Sequence, residues 1–255
     1  SGDSACIIPP VTLGDGVIDV LSDATRRIAT ALDVKGLINV QFAVRDGEVF
    51  VIEANPRASR TVPFVAKATG VPLVKVASRV MVGATLAELR EEGLLNEAST
   101  EGHVAVKEAV LPFNRFPDAD RVLGPEMRST GEVMGIDRSF GLAFAKSQMA
   151  AGDRLPESGT VFFSLADRDK PNGIRAAERY VAVGFDIVAT AGTADALEEA
   201  GVPVLRRLAK LADSTGDVPT AVDLIRAGEI QMVVNSPRGR GPRADGGYIR
   251  AAAGV

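Results

Sequence analysis

The sequence predicts an α/β protein made of two differently organised parts, and three observations support this prediction. Residues 36–56 read as an antiparallel hairpin. Over residues 160–234, short apolar strands alternate with helical segments, which is typical of a parallel sheet covered by helices on both faces. A Gly-Asp-Arg-Leu-Pro run over residues 152–156 is typical of a linker. We therefore predict one domain over residues 1–151 and a second over residues 152–255.

The spacing of apolar residues predicts the individual elements. In the first part, spacings of three and four predict helices, and one further apolar run predicts a strand. These helices are expected over residues 14–32, 61–95 (with a break at Gly70-Val71-Pro72) and 140–150, and the strand over residues 103–111. In the second part, strands are expected over residues 160–165, 185–189, 202–205 and 230–234, and helices over residues 172–183, 194–200 and 220–227.

The composition narrows the class of protein. Hydrophobic residues make up 46% of the 255 residues and charged residues 24%, which excludes a disordered tail or a collagen-like fibre. A net charge of −4 argues against a dedicated nucleic-acid binder. No apolar stretch is long enough to cross a membrane. The single cysteine, Cys6, favours a reducing compartment, so we expect the cytoplasm. Because His103 is the only histidine, a bound metal would need oxygen ligands.

The register of the hairpin decides which polar side chains meet. A two-residue loop at Asp46-Gly47 would put Gln41 and Glu53 on opposite faces, whereas a three-residue loop would pair Arg45 with Val49. The second register is predicted, because it collects the apolar residues on one buried face. That face would hold Ile38, Val40, Phe42, Val44, Phe50, Ile52 and Ala54.

The opposite face of the hairpin would carry a candidate cation site. In the predicted register Gln41 lies opposite Glu53, and Asn55 lies two residues further along the same face. A carboxylate and two amide oxygens are suitable ligands for Mg²⁺. Arg57 and Arg60 follow directly and suit phosphate or carboxylate oxygens. The alternative interpretation is an ordinary solvated hairpin face.

A second candidate site lies where the late strands end. Ligands bind outside the carboxyl ends of strands in open parallel sheets, and a helix N-terminus there attracts an anion. The residues predicted to form a phosphate site are Ser164, Lys170, Thr190, Thr193, Lys210, Asn235 and Ser236.

Two long runs identify a family resemblance. The run EANPRASRTVPFVAKATGVPLVKVA at residues 53–77 resembles the second ATP-grasp half of the large chain of carbamoyl-phosphate synthase. The run over residues 104–152, which contains VAVKEAVLPFNRF and GPEMRSTGEVMG, resembles the segment that follows it. The last hundred residues resemble the regulatory, methylglyoxal-synthase-like domain of that family. The resemblance implies the C-terminal lobe of an ATP-grasp domain followed by this α/β domain. It also implies a C-terminal fragment of a longer chain, since the phosphate-covering loop and adenine pocket are missing.

The resemblance assigns roles to the candidate residues. It implies that Gln41, Glu53 and Asn55 bind ATP and metal, that Arg57 and Arg60 position phosphate and carbamate, and that Ser1 contacts ATP. It implies an ornithine-like effector site at Asp3, Glu108 and Leu111. It implies that the late-strand site binds nucleotide effectors such as UMP and IMP, and it leaves their identity open.

The implied activity is ATP-dependent phosphorylation of carbamate, derived from bicarbonate, in pyrimidine and arginine synthesis. The implied cofactors are ATP and Mg²⁺ or Mn²⁺, together with K⁺. The implied protein partner is a small glutaminase subunit. The full-length protein is expected to form an oligomer of heterodimers with this subunit. Binding to nucleic acid or to membranes is not expected. Three alternatives remain: a nucleotide-binding regulatory module without turnover, another ATP-grasp ligase, and a methylglyoxal synthase. The absence of histidine from the second part argues against the last.

Overall fold

The computed structural model describes residues 2–100, 102–116, 119, 123–209, 219–236 and 244–254. The chain falls into two compact units. The first comprises Ser1–Pro112 and Leu123–Arg154, and the second comprises Phe113–Val122 and Leu155–Val255. Among the described residues, none of the helices is long and apolar enough to cross a membrane.

The first unit combines a three-stranded antiparallel sheet, a two-stranded hairpin and several helices. Its elements are β1 (Cys6–Ile8), α1 (Asp15–Ala31), β2 (Asn39–Arg45), β3 (Glu48–Asn55), α2 (Val62–Thr69), α3 (Leu73–Met81), α4 (Leu86–Glu91), β4 (Val104–Val110), β5 (Gly131–Asp137) and α5 (Phe140–Ala151). The predicted helices and the predicted strand at 103–111 are confirmed, except that the helical run at 61–95 has a second break between Met81 and Leu86 and ends at Glu91. The break after α2 falls at Gly70, which adopts a left-handed conformation with φ 74° and ends the helix.

The three-stranded sheet of the first unit has the order β1-β4-β5. One of its faces is buried beneath α2, where Phe64 and Ala68 pack on Ala105 of β4. The helix α5 packs very closely on the sheet at Gly135: a β-carbon there would lie 2.0 Å from the carbonyl oxygen of Ala143. Glycine is therefore required at that position for steric reasons. The sequence predicts neither β1 nor β5, because three residues are too few for a pattern and Gly135 interrupts the apolar alternation of β5.

The second unit is built on a parallel sheet, as the sequence predicts. Its elements are β6 (Thr160–Ser164), α6 (Lys170–Ala182), β7 (Asp186–Thr190), α7 (Ala191–Glu199), β8 (Arg206–Leu208), α8 (Ala221–Arg226), β9 (Met232–Asn235) and α9 (Ala244–Ala253). The strands lie in the order β8-β7-β6-β9, and every pair is parallel. Successive side chains of β6 enter different cores: Val161 and Phe163 pack in one, and Phe162 packs in the other. Both faces of the sheet are therefore covered.

The predicted strand at 202–205 is wrong, because the strand in this region is β8, formed by Arg206–Leu208. Val202 is apolar because it packs in the core beside α7 and not because it belongs to the sheet ladder. Arg206 and Arg207 are exposed on the edge strand of the sheet. Charged side chains protect such an edge from pairing with another chain. Because these residues are charged, a search for apolar runs does not predict this strand.

Candidate functional site

The hairpin turn differs from the prediction. The loop has two residues, Asp46 and Gly47, and Arg45 pairs with Glu48. Both loop residues have positive φ, 52° and 82°, which is the geometry of the tight turn that matches the twist of the two strands. The predicted three-residue loop, which pairs Arg45 with Val49, is therefore wrong.

A β-bulge restores the predicted pairing further along the hairpin. The register shifts between Gln41 and Phe42: Phe42 pairs with Val51, whereas Gln41 pairs with Glu53. Ile52 is the extra residue, and two residues of β3 therefore oppose one residue of β2. The structure thus brings Gln41 and Glu53 opposite each other, as predicted, but through a bulge and not through a longer loop.

The two-residue loop also changes which side chains share a face between the turn and the bulge. Phe50 pairs with Ala43, so it lies on the face of Gln41 and not among the apolar residues predicted on the other side. Phe50 and Ile52 are exposed, at 48% and 62%. The prediction that both are buried with Val40 is therefore wrong for this unit.

The polar end of the hairpin face presents oxygen atoms. Asn39 pairs with Asn55 and Gln41 with Glu53, so these four side chains project from one face. The Asn55 Nδ2 atom donates a hydrogen bond to Glu53 Oε1 at 2.9 Å. Within the described part of the chain, this bond engages neither the Asn55 amide oxygen nor Glu53 Oε2, so both atoms suit another ligand. Among the described residues no cluster of three His, Cys, Asp or Glu side chains occurs, so a cation here depends on amide oxygens.

A cleft of about 600 Å³ lies beside this face. Gln41 and Asn39 contribute to its wall from β2, and Arg57 contributes from the connection between β3 and α2. The remaining lining residues are polar or apolar side chains of the first unit, namely Ser4, Cys6, Leu37, Ile38, Phe42, Ser59, Thr61, Val62, Val65 and Leu73. The cleft thus places a guanidinium group beside one of the predicted metal ligands.

The two predicted arginines are held differently. The Arg57 backbone N–H donates to the Asn55 carbonyl oxygen at 2.8 Å, which turns the chain after β3. The Arg57 Nη1 donates to the Ala58 carbonyl oxygen at 3.2 Å. The Arg60 Nη1 lies 2.7 Å from Met127 Sδ and donates to Ser129 Oγ at 3.3 Å. Sequence reasoning missed Met127 and Ser129, and no motif in the chain signals their contact with Arg60.

The predicted effector residues Asp3 and Glu108 have separate partners. The Asp3 carboxylate accepts hydrogen bonds from the backbone N–H groups of Arg128 and Ser129, at 2.7 and 2.8 Å. Partial burial acts to raise the pKa of Asp3, but hydrogen bonds from Ser129 and Arg128 outweigh it and hold the pKa below its ordinary value. Glu108 accepts from the Gln148 side chain of α5 at 2.7 Å. The third predicted residue, Leu111, directly follows β4 and is half-buried.

In the second unit, predicted phosphate ligands converge at the carboxyl edge of the sheet. Ser164 of β6 pairs with Asn235 of β9. Thr190 and Thr193 are buried, with 6% and 2% exposure. Thr193 Oγ1 accepts from the Leu165 backbone N–H at 3.0 Å and lies 3.3 Å from Thr190 Oγ1. These two hydroxyl groups therefore connect the end of β6 to the start of α7.

The same edge carries two further polar groups. Ser236 Oγ accepts from the Ala166 backbone N–H at 2.9 Å. Lys170 Nζ pairs with Asp167 Oδ1 at 2.9 Å, and the Lys170 side chain is 23% exposed. The helix α7 starts without a side-chain cap at Thr190, and the space beside Gly192 is open. Its first N–H groups therefore suit an anion. Two other predicted site residues, Ser1 and Lys210, lie outside the described residues.

Comparison with known families shows what two segments of the chain are similar to. Residues 1–89 match the model of the carbamoyl-phosphate synthase L chain, ATP binding domain. Residues 172–255 match the model of the MGS-like domain. The first match lies within the first unit, and the second match lies within the second unit.

Individual relatives confirm the family resemblance. The chain is 56% identical to the carbamoyl phosphate synthase large chain of Clavibacter sepedonicus, over 99% of this chain and 24% of that protein. It is 54% identical to the large chain of Mycobacterium bovis and 53% identical to that of Micrococcus luteus, with the same coverage. The chain therefore spans about a quarter of the length of these relatives.

Proposed function

We propose that this chain contributes to an ATP-dependent carbamoyl-phosphate synthase, in which its first unit takes part in the phosphorylation of carbamate. The pairing of Gln41 with Glu53 is the observation on which this proposal depends. It supports an oxygen-rich face next to a cleft that Arg57 lines, in a chain 56% identical to the carbamoyl phosphate synthase large chain of Clavibacter sepedonicus. The face and the cleft together suit the phosphates of a nucleotide and a small anionic acceptor.

In the proposed reaction, a carbamate oxygen attacks the γ-phosphorus of ATP, and the bond from that phosphorus to the bridging oxygen of ADP breaks. The products are carbamoyl phosphate and ADP. Arg57 and Arg60 would bind the oxygens of the transferred group and of carbamate, and so hold the two reactants in line. A guanidinium group suits this task because its planar donors contact two oxygens at once.

The donor set of the hairpin fits a hard cation. Glu53, Gln41 and Asn55 would hold Mg²⁺ or Mn²⁺ through oxygen atoms, with nucleotide phosphates completing the coordination. When bound, such a cation neutralises charge on the phosphates and so favours phosphoryl transfer. The hydrogen bond from Asn55 to Glu53 supports this assignment, because it engages the Asn55 amide nitrogen and Glu53 Oε1 but neither the Asn55 amide oxygen nor Glu53 Oε2. A K⁺ ion is part of the same proposal.

For the second unit we propose that the carboxyl edge of the sheet binds a nucleoside monophosphate such as UMP or IMP and regulates the first unit. Lys170, the open start of α7 and the polar groups Asn235 and Ser236 support this role. The second candidate function is nucleotide binding by an MGS-like regulatory module that catalyses no reaction. The polar groups at the carboxyl edge of the sheet support it without any contribution from the first unit. The ornithine-like site at Asp3, Glu108 and Leu111 remains a further proposal.

The wider setting is also proposed. It comprises a glutaminase partner, an oligomer of heterodimers, bicarbonate as the carbon source, the cytoplasm as compartment, and pyrimidine and arginine synthesis as pathways. The reducing compartment is supported by the single cysteine.

The Glu53→Gln substitution tests the metal site in a chain of the relatives' full length that carries these residues. It removes one negative charge and keeps the side-chain shape, so we expect carbamate phosphorylation to fall by at least about a hundredfold. The assay is the reverse reaction, formation of ATP from carbamoyl phosphate and ADP, because it isolates this step. Glu48→Gln is the matched control, since Glu48 is exposed on the same strand at the turn. Equal activity of the Glu53 and Glu48 variants at saturating Mg²⁺ would refute the assignment.

A further inference from the structure

Arg60 contacts Ser129, a residue that belongs neither to the candidate metal site nor to the lining of the cleft. Ser129 is buried, with 9% exposure, and it contacts two separate parts of the chain, the N-terminal segment and Arg60. Its hydroxyl group accepts from Arg60 Nη1 at 3.3 Å and donates to the Gly2 carbonyl oxygen at 2.9 Å. Its backbone N–H donates to Asp3 Oδ1 at 2.8 Å.

These bonds fix the position of the Ser129 hydroxyl. The Asp3 carboxylate bridges the backbone N–H groups of Arg128 and Ser129, which holds the backbone of this segment. The donated bond to Gly2 sets the direction of the hydroxyl hydrogen, so a lone pair is left to accept from Arg60.

The contact holds Arg60 at one end of its guanidinium group. Both partners, Ser129 Oγ and Met127 Sδ, are contacted by Nη1. Within the described part of the chain, no hydrogen bond is found for Nε or Nη2 of Arg60. Those two nitrogens lie side by side on one edge of the group, which is the edge that contacts two oxygens of a phosphate or carboxylate.

We propose that Ser129 is the positioning residue of Arg60: it fixes the guanidinium group through Nη1 and leaves the opposite edge to bind the oxygens of the reacting anion. The structural part of this inference stands on the contacts above, and its kinetic part rests on the proposed function. Loss of the Ser129 hydroxyl therefore removes one of the two contacts of Nη1, loosens the guanidinium group and weakens a two-point contact that depends on orientation.

The first test measures the guanidinium group itself in the 255-residue chain. Arginine is labelled with ¹⁵N, and the Nε–H signal of Arg60 is assigned by its disappearance in Arg60→Lys. In Ser129→Ala the order parameter of this Nε–H falls, whereas Ser129→Thr, which keeps a hydroxyl, retains it. Ser78→Ala is the matched control, because among the described residues the Ser78 hydroxyl donates its hydrogen bond to Val74 of its own helix. An unchanged order parameter of the Arg60 Nε–H in Ser129→Ala overturns the inference, and it leaves the proposed function unaffected.

The second test asks whether Ser129 acts through Arg60. In a chain of full length, Ser129→Ala should lower kcat for ATP formation from carbamoyl phosphate and ADP by about ten- to a hundredfold, with rescue by Ser129→Thr. In the Arg60→Lys background the further loss from Ser129→Ala should be less than about twofold, because the contact is already gone. Equal losses in both backgrounds overturn the inference. If Arg60→Lys alone matches wild type, the proposed role of Arg60 fails, and with it the kinetic part of the inference.

Discussion

From the ion pair between Lys170 and Asp167 we predict how two substitutions change nucleotide binding. Lys170 Nζ lies 2.9 Å from Asp167 Oδ1, and the two side chains are 23% and 67% exposed. A phosphate that binds Lys170 must compete with this carboxylate. Asp167→Asn should therefore tighten binding of a nucleoside monophosphate, whereas Lys170→Ala should weaken it.

The exposure of the pair limits the size of the effect. Ion pairs of this kind contribute about 0.2–1 kcal/mol, which corresponds to a change in Kd of up to about fivefold. We expect Asp167→Asn to tighten binding by about two- to fivefold, because the mutation also removes repulsion of the phosphate. Lys170→Ala should weaken binding by about tenfold, since a charged hydrogen bond is lost. Both effects should shrink as salt is added.

Isothermal titration calorimetry of UMP and IMP with the 255-residue chain measures these changes. Asp169→Asn is the matched control, since Asp169 pairs with Arg168 at 3.4 Å and makes no side-chain cap on α6. If Asp169→Asn tightens binding as much as Asp167→Asn, the effect comes from the loss of negative charge near the phosphate. The explanation that Asp167 competes with the phosphate for Lys170 is then wrong. If neither nucleotide binds at millimolar concentration, the regulatory assignment of this edge is wrong.

Two further predictions concern stability. Because the native-state pKa of Asp3 is lowered, its carboxylate stabilises the fold above the unfolded-state pKa of about 3.9 and loses this effect as pH falls through the native pKa. Asp3→Asn should therefore lower the free energy of unfolding in urea at pH 7, and the decrease of that free energy between pH 7 and acid pH should be smaller than in wild type. Asp33→Asn, at an exposed aspartate that pairs with Lys35, is the matched control, and equal profiles for the two variants would contradict the argument. Gly135→Ala should cost about 3 kcal/mol in chemical unfolding, because its new β-carbon meets backbone atoms of α5 that cannot turn aside. Gly141→Ala, which faces open space in α5, should instead gain roughly 0.5 kcal/mol, and a similar cost for both would show that close approach is not the cause.

Much of the fold was predictable because its pattern is local. Alternating strands and helices after residue 160 predict the parallel sheet, and burial on both faces explains why Val161, Phe162 and Phe163 are all apolar. The break at Gly70 and Pro72 was predictable for the same reason, since a left-handed glycine ends a helix without tertiary help. The family resemblance was equally local, because it depended on two uninterrupted runs.

The sequence by itself indicated that Gln41 and Glu53 face each other, although the three-residue loop and the buried apolar face used to predict this pairing are not those of the structure. Only the tertiary structure decided how, through a bulge at Ile52 that no single strand pattern contains. The same limit applies to Arg60, whose partner Ser129 is 69 residues away in sequence. A contact of that separation depends on how β1, α2 and β5 pack, and packing is a property of the whole unit and not of a window of residues.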